Sequence, residues 1–346
     1  MLSALALLVV IAVLGALGWL FVVYPDSDGP PVEGEVVIEV EDKVTLDELA
    51  LALHHEQIID DVGVWTLYMR LRGLEEHLRR GRVRFPRPMT PEEVARHATT
   101  RLGRILVRVT IPEGYNRFEI AKRLEEYGIT DADDFIDATE DDALLASYGI
   151  EADNAEGYLF PDTYEFSDRT RPNRVVERML ANWTRRYEEA LDETGVEVPD
   201  DWSTHDVVTL ASIVEKEAAV AYERRRISGV FFNRLRSKKF LPRKRLQADP
   251  TVAYGCVAEP DEAPSCASYD GRITRAMLED KRNGYNTYRH SGLPPGPISN
   301  PGKAALEAVL VPEQHHYFYF VARGGGRHEF SRTLRQHNNA TNRYLR

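Results

Sequence analysis

Cysteine is scarce in this chain: 346 residues hold two, Cys256 and Cys266. No Cys-x-x-Cys pair or Cys/His spacing of the zinc-binding kind occurs, which excludes a zinc module as the organising element. "HEQII" at His55 lacks the second histidine of the zinc-helix motif, and His315, His316 and His328 share no ligand spacing. Charge is missing from one region altogether, since residues 1–24 contain no Asp, Glu, Lys or Arg. The adjoining flank, "PDSDGPPVEGE", has no Lys or Arg either. The positive-inside rule is therefore close to silent, although nothing basic opposes export of the downstream chain. Disorder is excluded by bulk composition, at 43% hydrophobic and 29% charged residues. The length suits about two domains of roughly 150 residues each.

What is present begins with "MLSALALLVVIAVLGALGWLFVVY", Met1 to Tyr24. A helix needs about 20 apolar residues to cross a bilayer. The apolar core of a cleaved signal peptide is shorter, roughly 7–15 residues. No clear small-x-small cleavage site precedes the polar flank, so the run reads as a retained anchor. Residues 25–34 form a Pro/Gly/acid linker that cannot hold regular structure. "VVIEVEDKVTLDELALALHHEQIID" then reads as an alternating strand, a turn and a helix with Leu46, Leu49 and Leu53 at helical spacing. A weak second copy lies 71 residues later, matching Ile111, Glu119, Ile120, Ala121, Leu124 and Ile129 to Val40, Glu48, Leu49, Ala50, Leu53 and Ile58. Between the copies, Thr90 and Pro91 are a good N-cap and first-turn pair.

Charge is unevenly spread over the rest. Residues 113–165 are acidic and lead into "EGYLFPDTYEF", Glu156 to Phe166, where four aromatics alternate with carboxylates. Those rings either stack on sugar faces, with Glu156 or Asp162 taking hydroxyls, or fill a core. From Arg224 to Arg245 the balance reverses, with ten Lys or Arg among 22 residues and no acid. Such a run is either a solvated surface or a patch for an anionic glycan or lipid. The aromatic interleaving of single-strand nucleic-acid binders is absent, and nucleic acid is not expected as a partner. Cys256 and Cys266 flank "VAEPDEAPS" and either close a loop as a disulfide or stay as thiols. Gly and Pro crowd the C-terminal third, in "NGYNTYRHSGLPPGPISNPG" and "YFYFVARGGGRHEFSRT", as in chains that shape a cleft.

The densest signal is "TLASIVEKEAAVAYERRR", Thr209 to Arg226. Ser203 to Asp206 forms a capping signature, so a helix should start there. Taking 100° per residue, Val207, Leu210, Ala211, Val214 and Ala218 form one stripe, with Glu215 and Glu217 each about 80° from its centre on opposite sides. Periodicity does not choose between the two carboxylates. One at the margin of a buried face suits a general acid with a raised pKa; both could equally be surface groups paired with Lys216, Arg224 or Arg225.

"LASIVEKEAAVAYERRRISGVFFNRLR", "LQADPTVAYG", "YNTYRHSGLPPGPISNPG" and "YFVARGGGRHEFSRTLRQHN" resemble, in this order, the signatures of the endolytic murein transglycosylase family (MltG/YceG-like), and "EGYLFPDTYEF" resembles its aromatic segment. The resemblance runs from about Val37 to the end. It implies an α+β chain: a single transmembrane helix (1–24), a linker (25–34), a LysM-like βα module (35–110) and a mixed α/β catalytic domain (111–346). It implies a lytic transglycosylase of the bacterial cytoplasmic membrane whose catalytic domain lies on the extracytoplasmic side. The substrate implied is the nascent peptidoglycan strand, cut between N-acetylmuramic acid and N-acetylglucosamine to leave 1,6-anhydro ends, without a cofactor. Peptidoglycan synthases or division proteins are the implied partners. Glu217, the second glutamate of V-E-K-E, maps to the general acid/base, with Glu215, Gln247 and Asp249 supporting it. Tyr158, Asp162, Tyr285, Asn286, Tyr288, Asn300 and His328 are the implied substrate-binding residues. Ala218 departs from the Ser or Thr that often follows the catalytic glutamate of lytic transglycosylases. A glycan-binding or division scaffold without catalysis is the competing reading, and it would make Glu217 dispensable.

Overall fold

The computed structural model describes residues 2–41, 44–79, 81–100, 102–103, 105–167, 170–198 and 201–345, with side chains from residue 5 onward. The chain divides into two compact units. The first comprises residues 1–108, 127–129 and 165–170, and the second 109–126, 130–164 and 171–346.

The first unit opens with α1 (Leu2–Gly18), which continues through a π-helical turn at Trp19–Val23 and a 3-10 turn at Tyr24–Asp26. Leu5–Asp26 is long and apolar enough to cross a membrane, and every residue from Leu5 to Trp19 is exposed. Leu20 and Tyr24 at its end are buried. Then come β1 (Gly34–Val40), α2 (Leu46–His55), α3 (Val62–Leu71), β2 (Gly81–Arg87) and α4 (Pro91–Thr99). β1 and β2 pair antiparallel, from Gly34 opposite Arg87 to Val40 opposite Gly81. The alternating side chains Ile38, Val40, Val83 and Phe85 meet Leu46, Leu49, Leu53, Trp65 and Tyr68 in one core. Thr90 caps α4 reciprocally with Glu93, and Pro91 occupies its first turn.

The second copy of the strand–turn–helix unit is β3 (Leu106–Thr110) followed by α5 (Arg117–Glu126). The likeness extends to the caps. Thr45 and Glu48 exchange side-chain-to-backbone hydrogen bonds at the start of α2, and Asn116 and Glu119 do the same at α5. Each helix also ends in a left-handed residue, Gln57 (φ 55°) and Gly128 (φ 65°), before a buried isoleucine, Ile58 and Ile129. The matched glutamates are thus helix caps, which is why they recur at that spacing.

The chain continues through α6 (Ala132–Ala138), α7 (Asp142–Ser147), β4 (Thr163–Ser167) and the long α8 (Pro172–Thr194). β4 pairs with β3. Next come α9 (Thr204–Glu217), α10 (Arg224–Arg236), α11 (Asp249–Ala258), α12 (Arg275–Glu279) and α13 (Lys303–Leu310). The antiparallel hairpin β5 (Tyr319–Gly324) and β6 (Arg327–Ser331) comes after them, and α14 (Leu334–Tyr344) packs against it. Gly324, Gly325 and Gly326 at the hairpin turn all have positive φ, which only glycine adopts freely three times in succession. α9 is the central helix, against which α10, α11 and α13 pack. Instead of a single buried stripe, every residue from Val207 to Val214 is buried. The segment after Pro297 supplies the extra cover: the Ile298 N–H donates to Ser212 Oγ, and Ser299 Oγ donates to the Ser212 carbonyl.

Candidate active site

Ser203 and Asp206 cap α9 reciprocally at its start, and the helix ends at Glu217, beyond which Ala218 is extended (φ −96°, ψ 94°). Burial of the middle of the helix ends just before three polar side chains that go to different surroundings. The Glu215 side chain is only 7% exposed; it lies 3.3 Å from Arg224 Nη2 and accepts the Gly302 N–H at 3.2 Å. Lys216 Nζ donates to the Gly114 carbonyl. Glu217 is partly buried and faces a cavity of about 640 Å³.

Four distant stretches of sequence build that cavity. Gln247 and Asp249 come from the start of α11, Tyr288 from the loop after α12, His328 from β6, and His337 from α14. Gln247 holds a left-handed backbone (φ 54°), uncommon outside glycine, and neighbouring contacts pin it there. Its N–H donates to the Thr287 carbonyl, and the Ala248 N–H donates to Thr287 Oγ1. Arg245 Nη1 donates to the Tyr288 carbonyl. The "LQAD" and "YNTY" stretches are therefore one wall. Tyr288 closes it by donating its hydroxyl to Asp249 Oδ1 at 2.6 Å. Across from it, His328 Nδ1 lies 2.8 Å from a carboxylate oxygen of buried Glu223, which also accepts the His328 N–H. That contact fixes the ring and leaves Nε2 for a ligand.

The electrostatics centre on Glu217. Burial pushes its carboxyl from 4.5 up to about 7, Asp249 adds to the rise, and Arg234 opposes it. Arg234 is itself almost buried; Nε donates to the Phe318 carbonyl and Nη1 to that of Leu246. Its guanidinium carbon lies 5.5–5.8 Å from the centroids of Phe231, Phe240, Tyr319 and Phe320. Burial pulls it down to about 10, so it stays a cation at neutral pH. The result is a carboxyl that gives up its proton only near neutral pH, beside a fixed positive charge: a proton donor whose anion is still tolerated once the proton has left.

Sequence reasoning missed Arg234 and His337. The signal for Arg234 was there, since it falls in step with Ile227, Val230 and Phe231 on the buried face of α10, where a cation needs partners. His337 stacks on Tyr319 at 5.3 Å, and burial and Arg234 push its pKa down.

The other residues singled out from sequence do not line this cavity. Tyr158 is buried, with its hydroxyl 2.9 Å from His205 Nδ1 and its ring edge-on to Trp183. Phe160, Tyr164 and Phe166 are buried too, so this aromatic segment belongs to a core. Asp162 accepts from Asn182 and lies 3.5 Å from Arg186. Tyr285 is buried against Tyr254. Asn286 is fully buried and donates to the carbonyls of Met277 and Asp280. Asn300, also fully buried, donates to Glu156 Oε1 and to the Tyr115 carbonyl and accepts the Leu159 N–H. Cys256 and Cys266 form a disulfide and pack with Val252, Ala263 and Met277. Among the described residues, no group of three or more His, Cys, Asp or Glu is placed to hold a metal ion.

The model of the YceG-like family matches residues 38–343. A Bacillus subtilis (strain 168) protein named endolytic murein transglycosylase is 36% identical over 194 residues, 55% of this chain and 48% of its own length. A protein of the same name from Streptococcus pneumoniae (strain D39) is 24% identical over 350 residues, 91% of this chain and 60% of its own. The chain thus spans between about half and three fifths of the curated relatives it matches. The crystal structure of a YceG-like protein from Listeria monocytogenes has a TM-score of 0.55 at 27% identity, with 89% of this chain and 100% of that one covered.

Proposed function

The chain belongs to the YceG-like family, and from that membership we propose that it is a membrane-anchored endolytic transglycosylase of peptidoglycan in which Glu217 is both acid and base. Protonated Glu217 gives its proton to the oxygen between N-acetylmuramic acid and N-acetylglucosamine as the C1–O bond breaks. The 2-acetamido group of the muramoyl sugar stabilises the cationic C1, as in the substrate-assisted glycosidases. The glutamate anion then takes the C6 hydroxyl proton, and O6 bonds to C1 to close the 1,6-anhydro ring. No water is consumed and no second catalytic carboxylate is needed. Asp249 acts by keeping Glu217 protonated and by anchoring Tyr288. Arg234 steadies the glutamate anion, while Gln247 and the free His328 nitrogen are placed to hold sugar polar groups. Glu215 is a structural ion-pair partner.

The observation that carries this reading is the carboxyl of Glu217, pushed up to about 7 by burial, in a cavity built from the conjoined loop motifs. The apolar stretch Leu5–Asp26 supports a single-pass anchor, with the catalytic unit on the extracytoplasmic side where its substrate lies. The strand–helix–helix–strand order around β1 and β2 supports a LysM-like glycan-binding module at 35–110. Peptidoglycan synthases or division proteins are the partners such an enzyme would work beside.

The test is mass spectrometry of uncrosslinked strands digested by the full chain in detergent and by its Glu217→Gln variant. The parent should leave 1,6-anhydro-muramoyl ends, and the variant should be slower by about 10²–10⁴-fold, the usual range for a lost general acid. Reducing ends from the parent would refute the anhydro step, and undiminished cleavage by the variant would refute the role of Glu217.

A further inference from the structure

The basic run after α9 is not one solvated surface. Arg224 pairs with Glu215, Arg226 lies 2.9 Å from Glu313, Arg225 donates to the Val311 carbonyl, and Arg234 and Arg245 serve the site already described. Arg236, Lys238, Arg243 and Lys244 are different. They converge on a separate groove of about 870 Å³, and none of the four has an ion-pair partner among the described residues. Like charges so close repel one another and stay together at some cost unless an anion joins them. The groove also holds Trp202, half-buried, with one face stacked on Phe232 at 4.9 Å. Arg236 lies over the same Phe232 ring at 4.8 Å. The main chain is held to the groove floor: the Gly292 N–H donates to the Lys244 carbonyl, and Ser291 Oγ donates to that of Arg243.

The groove carries the opposite sign as well. Asp201 and Asp206 line it, and Asp206 is fixed there because it caps α9 through Ser203. A ligand matched to this groove therefore brings several anionic groups, at least one cationic group and a ring or apolar face for Trp202. A phosphate-rich wall polymer offers anions alone. The peptide carried by a muramoyl sugar offers carboxylates together with the ammonium of a diamino acid, on a chain of pyranose rings.

We propose that the Trp202 groove is a second binding site of this enzyme, which holds the peptide substituent of a glycan strand while Glu217 acts elsewhere on the same strand. The proposal rests on the peptidoglycan reading above and adds to it the recognition of peptide-bearing over bare strands.

The test uses the full-length Glu217→Gln chain in detergent, so that binding is read without cleavage. The ligands are uncrosslinked strands with their peptides and the same strands stripped of peptide by an amidase. Peptide-bearing strands should bind several-fold more tightly. The added exchange Lys238→Gln with Arg243→Gln should weaken them about five-fold, as expected for two exposed charge contacts, and leave bare-strand binding and the thermal midpoint unchanged. Both residues are exposed, so a folding defect would be visible at once in the melt. Equal binding of the two strand types, or a preference that survives the double exchange, overturns the proposal. So does displacement of the peptide-bearing strand by a phosphate-bearing wall polymer at lower concentration. Anhydro ends produced by the parent chain report separately on the peptidoglycan reading, so a cleaving parent without peptide preference removes the groove's role and leaves the reaction standing.

Discussion

Replacing Glu217 with glutamine should make the protein more stable at pH 8 and no more stable at pH 4, while removing its activity at both. The carboxyl is pushed from 4.5 to about 7 by burial and by Asp249, a rise worth roughly 3 kcal/mol at 1.36 kcal/mol per pH unit. The folded chain therefore holds this proton more tightly than the unfolded chain. Its contribution to stability is fully present below about pH 4.5, falls as pH rises, and is lost above about 7. Glutamine keeps the shape and cannot ionise, so it escapes that loss. Because Glu217 opens onto a solvent-accessible cavity, the gain at pH 8 should be about 1–3 kcal/mol, or several degrees in the thermal midpoint for a unit of this size. Buried Glu156 is also pushed up to about 7, but it is present in both proteins and cancels in the difference. Melts of parent and variant by circular dichroism at half-unit steps from pH 4 to 8.5 would trace the effect. The same proton sets the rate. kcat/KM of the parent should fall above about pH 7 with the slope of one ionisation, and Asp249→Asn should move that limb down by about one pH unit as a neighbouring negative charge is removed. A midpoint difference that ignores pH, or a limb that moves up in Asp249→Asn, would refute the assignment of the proton to Glu217.

Two further predictions concern the frame around the site. Glu215→Gln strips a buried partner from Arg224 and weakens the acceptor of the Gly302 N–H. It should cost about 1–3 kcal/mol in urea unfolding and leave the pH limb of kcat/KM where it is; a shifted limb would make Glu215 part of the proton chemistry. The Cys256–Cys266 bridge spans ten positions, and replacing both cysteines with serine should lower stability by up to about 3 kcal/mol on the loop-closure account. Equal urea midpoints for parent and variant would show that packing with Met277 and Val252 already holds that loop.

The local parts of this structure were legible because their causes are local. Thr90 with Pro91 and Ser203 with Asp206 mark helix starts within a few residues, while the caps Thr45 with Glu48 and Asn116 with Glu119 showed in sequence only as glutamates that recur in the repeat. The choice between Glu215 and Glu217 was not legible, because both flank the same helical stripe and the difference is made from far away. Glu215 meets Gly302, 87 positions on; Glu217 meets Asp249 and Arg234, brought in by folds of the chain that helical periodicity does not encode. The polar loop residues pose the same problem more sharply. Asn286, Asn300 and His328 sit in motifs of equal polarity, yet two of them saturate buried carbonyls and one faces the cavity. A side chain that ties loops together and one that meets a sugar need the same donors and acceptors. Nor could the meaning of the basic run be read from its count of charges. Most of its arginines are answered from within the chain, whereas Arg236, Lys238, Arg243 and Lys244 lie together in one groove with Trp202. Sequence supplies the charge, but only the fold shows which charges are already answered from within the chain, and a binding surface is made of those that are not.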